Sequence, residues 1–289
     1  MRRMGTFTAA LAALVIGSAA LTAAAAPARA EQNRAGQNRA EQPRAEAWII
    51  NQRAVSLLGQ AGLRPRQIEE LFGSRGTFLI NASGGLGGAI RTATFTSYAT
   101  LRTALADGTL PRGTRAVLYD NEGWTLTPVN EQRNPAKYEA LAAALVHAHH
   151  LLFVSTPAIT LTDRLAPGAA DRYAAYLRLG LAASAARYAD AIDIQAQGAE
   201  ADLATYAAFV RTAAGQARAA NRQVLVFAGI STNPDGQHVT AAQFAAAVNA
   251  VRRYVSGFWL NVPAGGTACP RCGTPRPLVA LPLLRSLLS

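Results

Sequence analysis

The sequence predicts an α/β fold, a (β/α)8-type (TIM-like) barrel, and three observations favour it. Apolar, β-branched runs alternate with amphipathic helical segments from Gly76 to the C-terminus. Most of these runs lack polar alternation, as expected for a parallel sheet covered on both faces. Polar residues recur where the runs end, all round the series. The alternative, an open doubly wound parallel sheet, would concentrate them at one switch point.

The first thirty residues have the pattern of a signal peptide. Arg2 and Arg3 give a positive start, residues 7–24 are apolar, and Ala28-Arg29-Ala30 is a small-x-small cleavage site. A spanning anchor is the alternative reading, but no charged stop-transfer flank follows the apolar run. We therefore expect a secreted protein that starts at Glu31 and is not stably inserted in the membrane after cleavage.

Residues 31–47 are predicted to be a disordered linker. A five-residue unit repeats there as EQNRA, GQNRA and EQPRA. It has no apolar side chain larger than alanine, so it cannot bury enough surface to offset the entropy of ordering. A single barrel domain over 48–289 follows. It opens with one or two short helices over 49–72, the second starting at Pro65.

The strands of this domain are the continuous apolar runs. A weaker seventh run lies at 91–96 and no eighth is visible, so the barrel is predicted with a strand count that can fall short of eight. Helices begin between the runs, at Asn134-Pro135 with a proline in the first turn and at Thr240, which forms a capping box with Gln243. The six clear strands are 77–82, 115–122, 151–157, 191–197, 223–233 and 255–263.

The end of the second clear strand carries the strongest functional signal. An apolar run leads into Asp120 and Glu122, with Trp124 next. Alternation of side chains puts both carboxylates on one face, about 6.6 Å apart along the strand. In α/β barrels the chemistry takes place at this end of the strands. The structural alternative is an arginine partner for Asp120 and a solvated Glu122.

Other strand ends add polar and aromatic side chains. Asp193, Gln195 and Gln197 alternate along one face, and buried polar groups need partners. We expect Gln195 and Gln197 to line the cleft, with a purely structural network as the alternative. The last strand carries Trp259 and Asn261. Further strand-end residues, which can equally cap loops, are Asn81, Ser83, Thr156, Ser231 and Asn233.

These residue types suit glycoside hydrolysis. The reaction needs one protonated carboxyl as acid and a second as base or nucleophile. We expect Glu122 to be the acid, ionised Asp120 to orient it or act on the anomeric carbon, and Asp193 to act from across the cleft. Substrate binding is assigned to the aromatic faces and amides of the strand ends. These residues are Trp124, Gln195, Gln197, Trp259 and Asn261.

Charge and motifs exclude several other classes. The chain has 28 basic and 17 acidic side chains, and loss of the signal leaves a net charge of about +8. The arginines are scattered without interleaved aromatics, so we expect no nucleic-acid partner. A basic exported protein suits a glycan or an anionic cell-wall polymer. His147, His149 and His150 fit a helix end better than a metal site, and neither metal nor cofactor is expected.

Cys269 and Cys272 are the only cysteines. A zinc site needs two more ligands, and none lies nearby in the sequence. Export favours a local disulfide between them. It would stiffen the loop after the last strand, on the same rim as Trp259 and Asn261.

Two resemblances follow from these motifs. Asp120-x-Glu122, a following aromatic and Trp259 on the last strand resemble part of the family 18 chitinase pattern, in which an Asp-x-Asp-x-Glu run ends a barrel strand; Leu118 stands at the earlier Asp. From Gly76 onward the chain is also similar to exported barrel proteins of high-GC bacteria that have no established reaction. The motifs of that second resemblance are Tyr119-Asp120-Asn121-Glu122-x-Trp124, Thr127-Pro128, Glu131-Gln132, Asp193-x-Gln195-x-Gln197, Ser231-Thr232-Asn233-Pro234 and Phe258-Trp259-Leu260-Asn261-Val262-Pro263.

Two function classes stay open on the sequence. The first is a secreted glycan-active hydrolase. The second is a non-catalytic carbohydrate- or cell-wall-binding barrel, in which the same aromatics and amides bind without turnover. One pocket shared by Asp120, Glu122 and Asp193 would favour hydrolysis. An arginine partner for Glu122 and a structural network around Asp193 would favour binding.

Overall fold

The computed structural model describes residues 46–266 and 269–288. This part of the chain is a closed barrel of eight parallel strands in chain order. The last strand pairs with the first, with Phe258 opposite Trp48. Closure confirms the predicted barrel over the open sheet. The predicted signal peptide and linker residues 31–45 lie outside the described residues. In residues 46–266 and 269–288, no helix is long and apolar enough to cross a membrane.

The strands are short and the helices vary in length. The strands are β1 Ala47–Asn51, β2 Thr77–Ile80, β3 Ile90–Phe95, β4 Ala116–Tyr119, β5 Leu152–Ser155, β6 Ala191–Ile194, β7 Leu225–Ser231 and β8 Gly257–Asn261. The α-helices are α1 Gln52–Gln60, α2 Pro65–Phe72, α3 Tyr98–Ala106, α4 Val129–Arg133, α5 Pro135–Ala148, α6 Thr162–Leu165, α7 Arg172–Leu179, α8 Leu181–Ala186, α9 Leu203–Ala220, α10 Ala241–Val251 and α11 Leu281–Ser286.

Strand β1 is the one that the sequence did not predict. Its last residue, Asn51, is also the N-cap of α1, and its side chain accepts a hydrogen bond of 2.6 Å from the Ala54 N–H. Strand and helix therefore share a residue, and no turn signal separates them. Order begins earlier than predicted, because Ala47 belongs to β1 and Arg252 donates to the carboxylate of Glu46 at 3.1 Å.

The weak seventh run is confirmed as β3, and the two predicted helix starts differ in detail. Thr240 and Gln243 form the full capping box, with bonds of 3.2 and 2.9 Å. At the start of α5, Asn134 stands at the N-cap position before Pro135, but its side chain makes no capping bond. Its amide donates instead to the Asn130 carbonyl at 3.0 Å.

Alternate strand residues form two apolar layers. One layer fills the barrel interior, and the other packs the outside of the sheet against the helices, as where Trp48 meets the edge of Phe72 at 5.4 Å between ring centroids. Because the interior is filled with side chains, it is a packed core and not a channel. The interior cluster consists of Ile49, Phe78, Ile80, Ile90, Ala116, Leu118, Val154, Ala191, Phe227 and Trp259.

Two of the buried acids in the loops and helices around the barrel, Glu139 and Glu200, have raised pKa values. Glu139 of α5 accepts a bond of 3.4 Å from Ser155, and its other oxygen has no partner among the described residues. Burial raises the pKa of Glu139 from 4.5 to about 8. Glu200 accepts from the Ser231 N–H at 2.7 Å, and burial raises its pKa to about 8 as well. Both side chains hold a proton at neutral pH.

Replacement of Glu139 by glutamine tests this proton. Between about pH 4.5 and pH 8 the native carboxyl keeps a proton that the unfolded chain has lost, so the free energy of unfolding falls as pH rises through that window. Glu139→Gln keeps the size and removes the ionisation. We expect the free energy of unfolding of Glu139→Gln, relative to that of wild type, to be higher at pH 8 than at pH 5 by on the order of 1–3 kcal/mol. Urea unfolding at the two pH values measures this difference.

The exposed Glu70 of α2 provides the matched control. Glu70→Gln removes a carboxyl group that is exposed to solvent, and it should leave the pH dependence of unfolding unchanged. An equal effect of Glu139→Gln at pH 5 and pH 8 would contradict the buried proton.

Candidate active site

Two carboxyl groups meet at the carboxyl end of β4. Asp120 directly follows the strand and is 7% exposed, and Glu122 is half-buried two residues later. The two carboxyl groups lie close enough for each to act on the pKa of the other. Because β4 ends at Tyr119, both residues lie in the segment that follows the strand, and the spacing of about 6.6 Å expected along a continuous strand does not apply to them.

Side chains from the two neighbouring strands hold Asp120 in place. Oδ1 of Asp120 accepts a hydrogen bond of 2.7 Å from the Thr156 hydroxyl and one of 3.0 Å from the Gln195 amide. Gln195 also donates to the Thr156 carbonyl at 3.0 Å and acts to lower the pKa of Glu122. The ends of β4, β5 and β6 therefore build one polar cluster. The structure places Gln195 at the carboxyl pair, as a hydrogen-bond partner of Asp120.

The pKa values of the two carboxyl groups are raised to different extents. Burial raises the pKa of Asp120 to about 6, although the bonds from Thr156 and Gln195 act to lower it. The pKa of Glu122 is raised well above its usual range, first by burial and then by the Asp120 charge. The directions of these shifts assign the proton of the pair to Glu122 and the charge to Asp120.

Asp193 lies beneath this pair. It is on β6, directly opposite Phe227 of β7, and has no exposed surface. Neither carboxyl oxygen has a hydrogen-bond partner among the described residues. Burial, followed by the charge of Asp120, raises its pKa well above the usual range. In the described part of the chain, neither an arginine partner nor a hydrogen-bonded network accounts for it.

The loop that carries Glu122 is braced from both sides. The Thr127 hydroxyl accepts a hydrogen bond of 2.8 Å from the Trp124 indole N–H and one of 3.3 Å from the Glu122 backbone N–H. The Gly123 N–H donates to the Thr160 hydroxyl at 2.8 Å, and a Cβ on Gly123 would stand 2.4 Å from the Thr160 carbonyl oxygen. Only glycine fits there. Trp124 is half-buried, with its N–H used inside the loop.

Glu131 and Gln132 anchor the same loop from α4. Gln132 donates to the Trp124 and Thr127 carbonyls at 2.6 and 2.7 Å. The buried Glu131 accepts 2.5 Å from the Tyr119 hydroxyl. These two residues entered the sequence analysis only through the second resemblance, and the structure gives them contacts that position the loop.

The remaining predicted binding residues differ in exposure. Trp259 faces the interior and is 8% exposed, so it lies in the floor of the mouth and does not offer the open ring face that was expected. Strand β6 ends at Ile194, and Gln197 begins a 3₁₀ turn instead of extending the strand. Its side chain still lies over the barrel, against the Gly229 backbone. Asn261 ends β8 and is half-buried.

The rim next to β8 is tied by a disulfide. Cys269 and Cys272 are bonded, with their Cα atoms 5.4 Å apart. The Asn233 amide, just after β7, donates to the Cys272 carbonyl. In the same loop Asp235 lies near enough to Glu122 to raise its pKa. Neither Asp235 nor the bond from Thr156 was predicted; a strand-end position was the one sequence signal for Thr156.

The described residues contain no group of three or more His, Cys, Asp or Glu side chains that could hold a metal ion. His147, one of the three clustered histidines, is paired with Asp190 at 2.9 Å. Asp190 directly precedes β6, so this pair lies at the amino end of the strands, away from the carboxyl pair.

No protein-family model and no curated protein matches the chain. Solved structures share the barrel. Bee venom hyaluronidase is 10% identical with a TM-score of 0.47, over 84% of this chain and 97% of that one. A chitinase from Chromobacterium violaceum is 12% identical with a TM-score of 0.44, over 85% and 99%. The carboxyl transferase domain of Rhizobium etli pyruvate carboxylase is 10% identical with a TM-score of 0.43, and the match spans 83% of this chain and 46% of that one. These likenesses concern the fold alone.

Removal of the Gln195 amide tests the electrostatics of the pair. Gln195→Leu takes away a donor that favours the ionised form of Asp120, so the pKa of Asp120 should rise above about 6. Loss of a hydrogen bond to a charged group, about 1.5–3 kcal/mol, corresponds to a rise of about one to two pH units. Carbon-detected NMR titration of the carboxyl groups measures it. Gln60→Leu, at the exposed end of α1, is the control, and an unmoved titration in Gln195→Leu would contradict the assignment.

Proposed function

We propose that this protein is a secreted hydrolase acting on glycans, with the Asp120–Glu122 pair as its reacting group. One observation supports the proposal above the others. The two carboxyl groups share a site at the barrel mouth, and burial and the Asp120 charge raise the pKa of Glu122 well above its usual range, which favours the proton on Glu122 and the charge on Asp120. An acid that still holds its proton at pH 7 is what cleavage of a glycosidic bond requires.

In the proposed reaction Glu122 donates its proton to the leaving oxygen. The ionised Asp120 stabilises the positive charge that develops at the anomeric carbon. The charge of Asp120 raises the pKa of Glu122 and so helps it to hold its proton. We therefore assign Asp120 to support of the acid and of the charged transition state. Water is the attacking group, and its proton passes to the Glu122 carboxylate that the first transfer leaves, which restores the acid.

Asp193 has a different role from the one expected from across the cleft. It is fully buried beneath Asp120, and burial together with the Asp120 charge raises its pKa well above the usual range. We assign it no proton transfer with the substrate. The proposed binding residues at the mouth are Trp124, Gln195, Gln197, Trp259 and Asn261.

A non-catalytic carbohydrate- or cell-wall-binding barrel is the second candidate. The burial of Asp193 favours it, because that residue was the expected base or nucleophile. Secretion belongs to both proposals. It rests on the signal sequence, and the disulfide between Cys269 and Cys272 is of the kind found in oxidising compartments.

Glu122→Gln separates the two candidates. The amide keeps the shape but has no proton to give, so glycan hydrolysis should fall by roughly 10²- to 10⁴-fold while binding persists. Asp120→Asn should also slow turnover, by removing the charge. Purified variants are assayed against a panel of cell-wall and plant polysaccharides, with Glu70→Gln as the control.

Unchanged turnover in Glu122→Gln would refute the acid assignment. Saturable binding of a glycan by wild type, with no turnover on any member of the panel, would establish the second candidate in place of the first.

A further inference from the structure

The acids of the mouth are arranged by depth. The Asp235 side chain at the rim is 59% exposed, Glu122 is half-buried, Asp120 is 7% exposed and Asp193 is fully buried. Each lies within electrostatic reach of the next: Asp235 and Asp120 act on Glu122, and Asp120 acts on Asp193. The four carboxyl groups form a continuous acidic path from solvent into the barrel.

Little positive charge compensates this path. Of the four acids, only Asp235 takes part in an ion pair with a described residue, Arg271, at 3.9 Å, and both of these side chains are more than half exposed. Such a pair contributes little. The chain carries 28 basic side chains, yet none of those described forms an ion pair with Asp120, Glu122 or Asp193. The carboxyl groups are spread in depth, and no set of three or more metal-ligating side chains converges in the described residues.

A second observation is independent of the acids. The indole N–H of Trp259 is buried on the inner face of β8 and has no acceptor among the described residues. Buried N–H groups are hydrogen-bonded in nearly all proteins, so this donor indicates an acceptor supplied from outside the chain. Hydroxyl oxygens of a ligand would supply the acceptor that Trp259 lacks, and a cationic amine would supply the counter-ion that Asp120 lacks.

We propose that the substrate class is a glycan of amino sugars with free amines, whose ammonium group lies on the Asp120–Glu122 pair and whose hydroxyl oxygens accept from Trp259. The inference rests on the proposed glycan-directed function. An N-acetylated sugar carries no charge and leaves ionised Asp120 without a counter-ion. A uronic acid polymer meets like charge at Asp120 and at the exposed Asp235, and like charges close together repel each other.

Matched pairs of oligosaccharides test the proposal. Tetramers of glucosamine and of galactosamine are titrated calorimetrically into wild type, each beside its fully N-acetylated form. In at least one pair the free-amine form should bind about tenfold more tightly, the equivalent of about 1.4 kcal/mol. Its affinity should fall as salt is raised, since the outer part of the path is exposed.

Two variants locate the ammonium. Asp235→Asn at the rim should weaken free-amine binding by about two- to fivefold, as expected for an exposed charge. Asp120→Asn should remove most of the preference for the free amine. Asp107→Asn is the control, since it removes an exposed charge after α3, at the opposite end of the barrel.

The outcomes distinguish this inference from the proposed function. Equal or tighter binding of the N-acetylated forms in both pairs, or an amine preference that survives in Asp120→Asn, would overturn the cationic substrate. Hydrolysis of a neutral or acidic polysaccharide together with either result would leave the proposed function standing. If wild type neither binds nor cleaves any glycan of the panel, both proposals fall.

Discussion

A parallel sheet becomes a barrel only when its last strand pairs with its first, and every feature of the mouth depends on that pairing between β8 and β1. The two backbones approach so closely that a Cβ on Gly257 would stand 1.9 Å from the Ala47 carbonyl oxygen, which requires glycine there. Closure brings all eight carboxyl ends to one face. Side chains far apart in sequence, such as Asp120 and Gln195, then meet at hydrogen-bond distance.

Much of this fold was predictable because its strands are continuous apolar runs and its helices have recognisable starts. The carboxyl pair was predictable from period-2 alternation after an apolar strand. The partner of Asp120 was not, because which strand-end hydroxyl meets it depends on the stagger of neighbouring strands. The buried state of Glu139 and Glu200 was equally hidden, since glutamate almost always faces solvent unless it is paired.

Charge is distributed unevenly between the outside and the mouth. The chain as a whole is strongly basic, with a net charge of +11. Yet the acids nearest the reacting pair meet amides, hydroxyls and other acids. Low exposure makes each such contact stronger than it would be in water, and it is also why the pKa of Asp193 is raised. For the cationic substrate proposed above, the basic surface would oppose approach, and the acidic mouth would supply the attraction.

Asn51 has a consequence for how the barrel tolerates change. One residue ends the strand that closes the sheet and caps the helix that follows it. No loop separates the closing strand from its helix. A residue inserted at this junction must therefore break either the strand register or the helix cap. Most βα junctions of this chain contain loops that can absorb length. The junction at Asn51 has no such loop, so inserted sequences are better placed in the longer loops at the ends of the other strands.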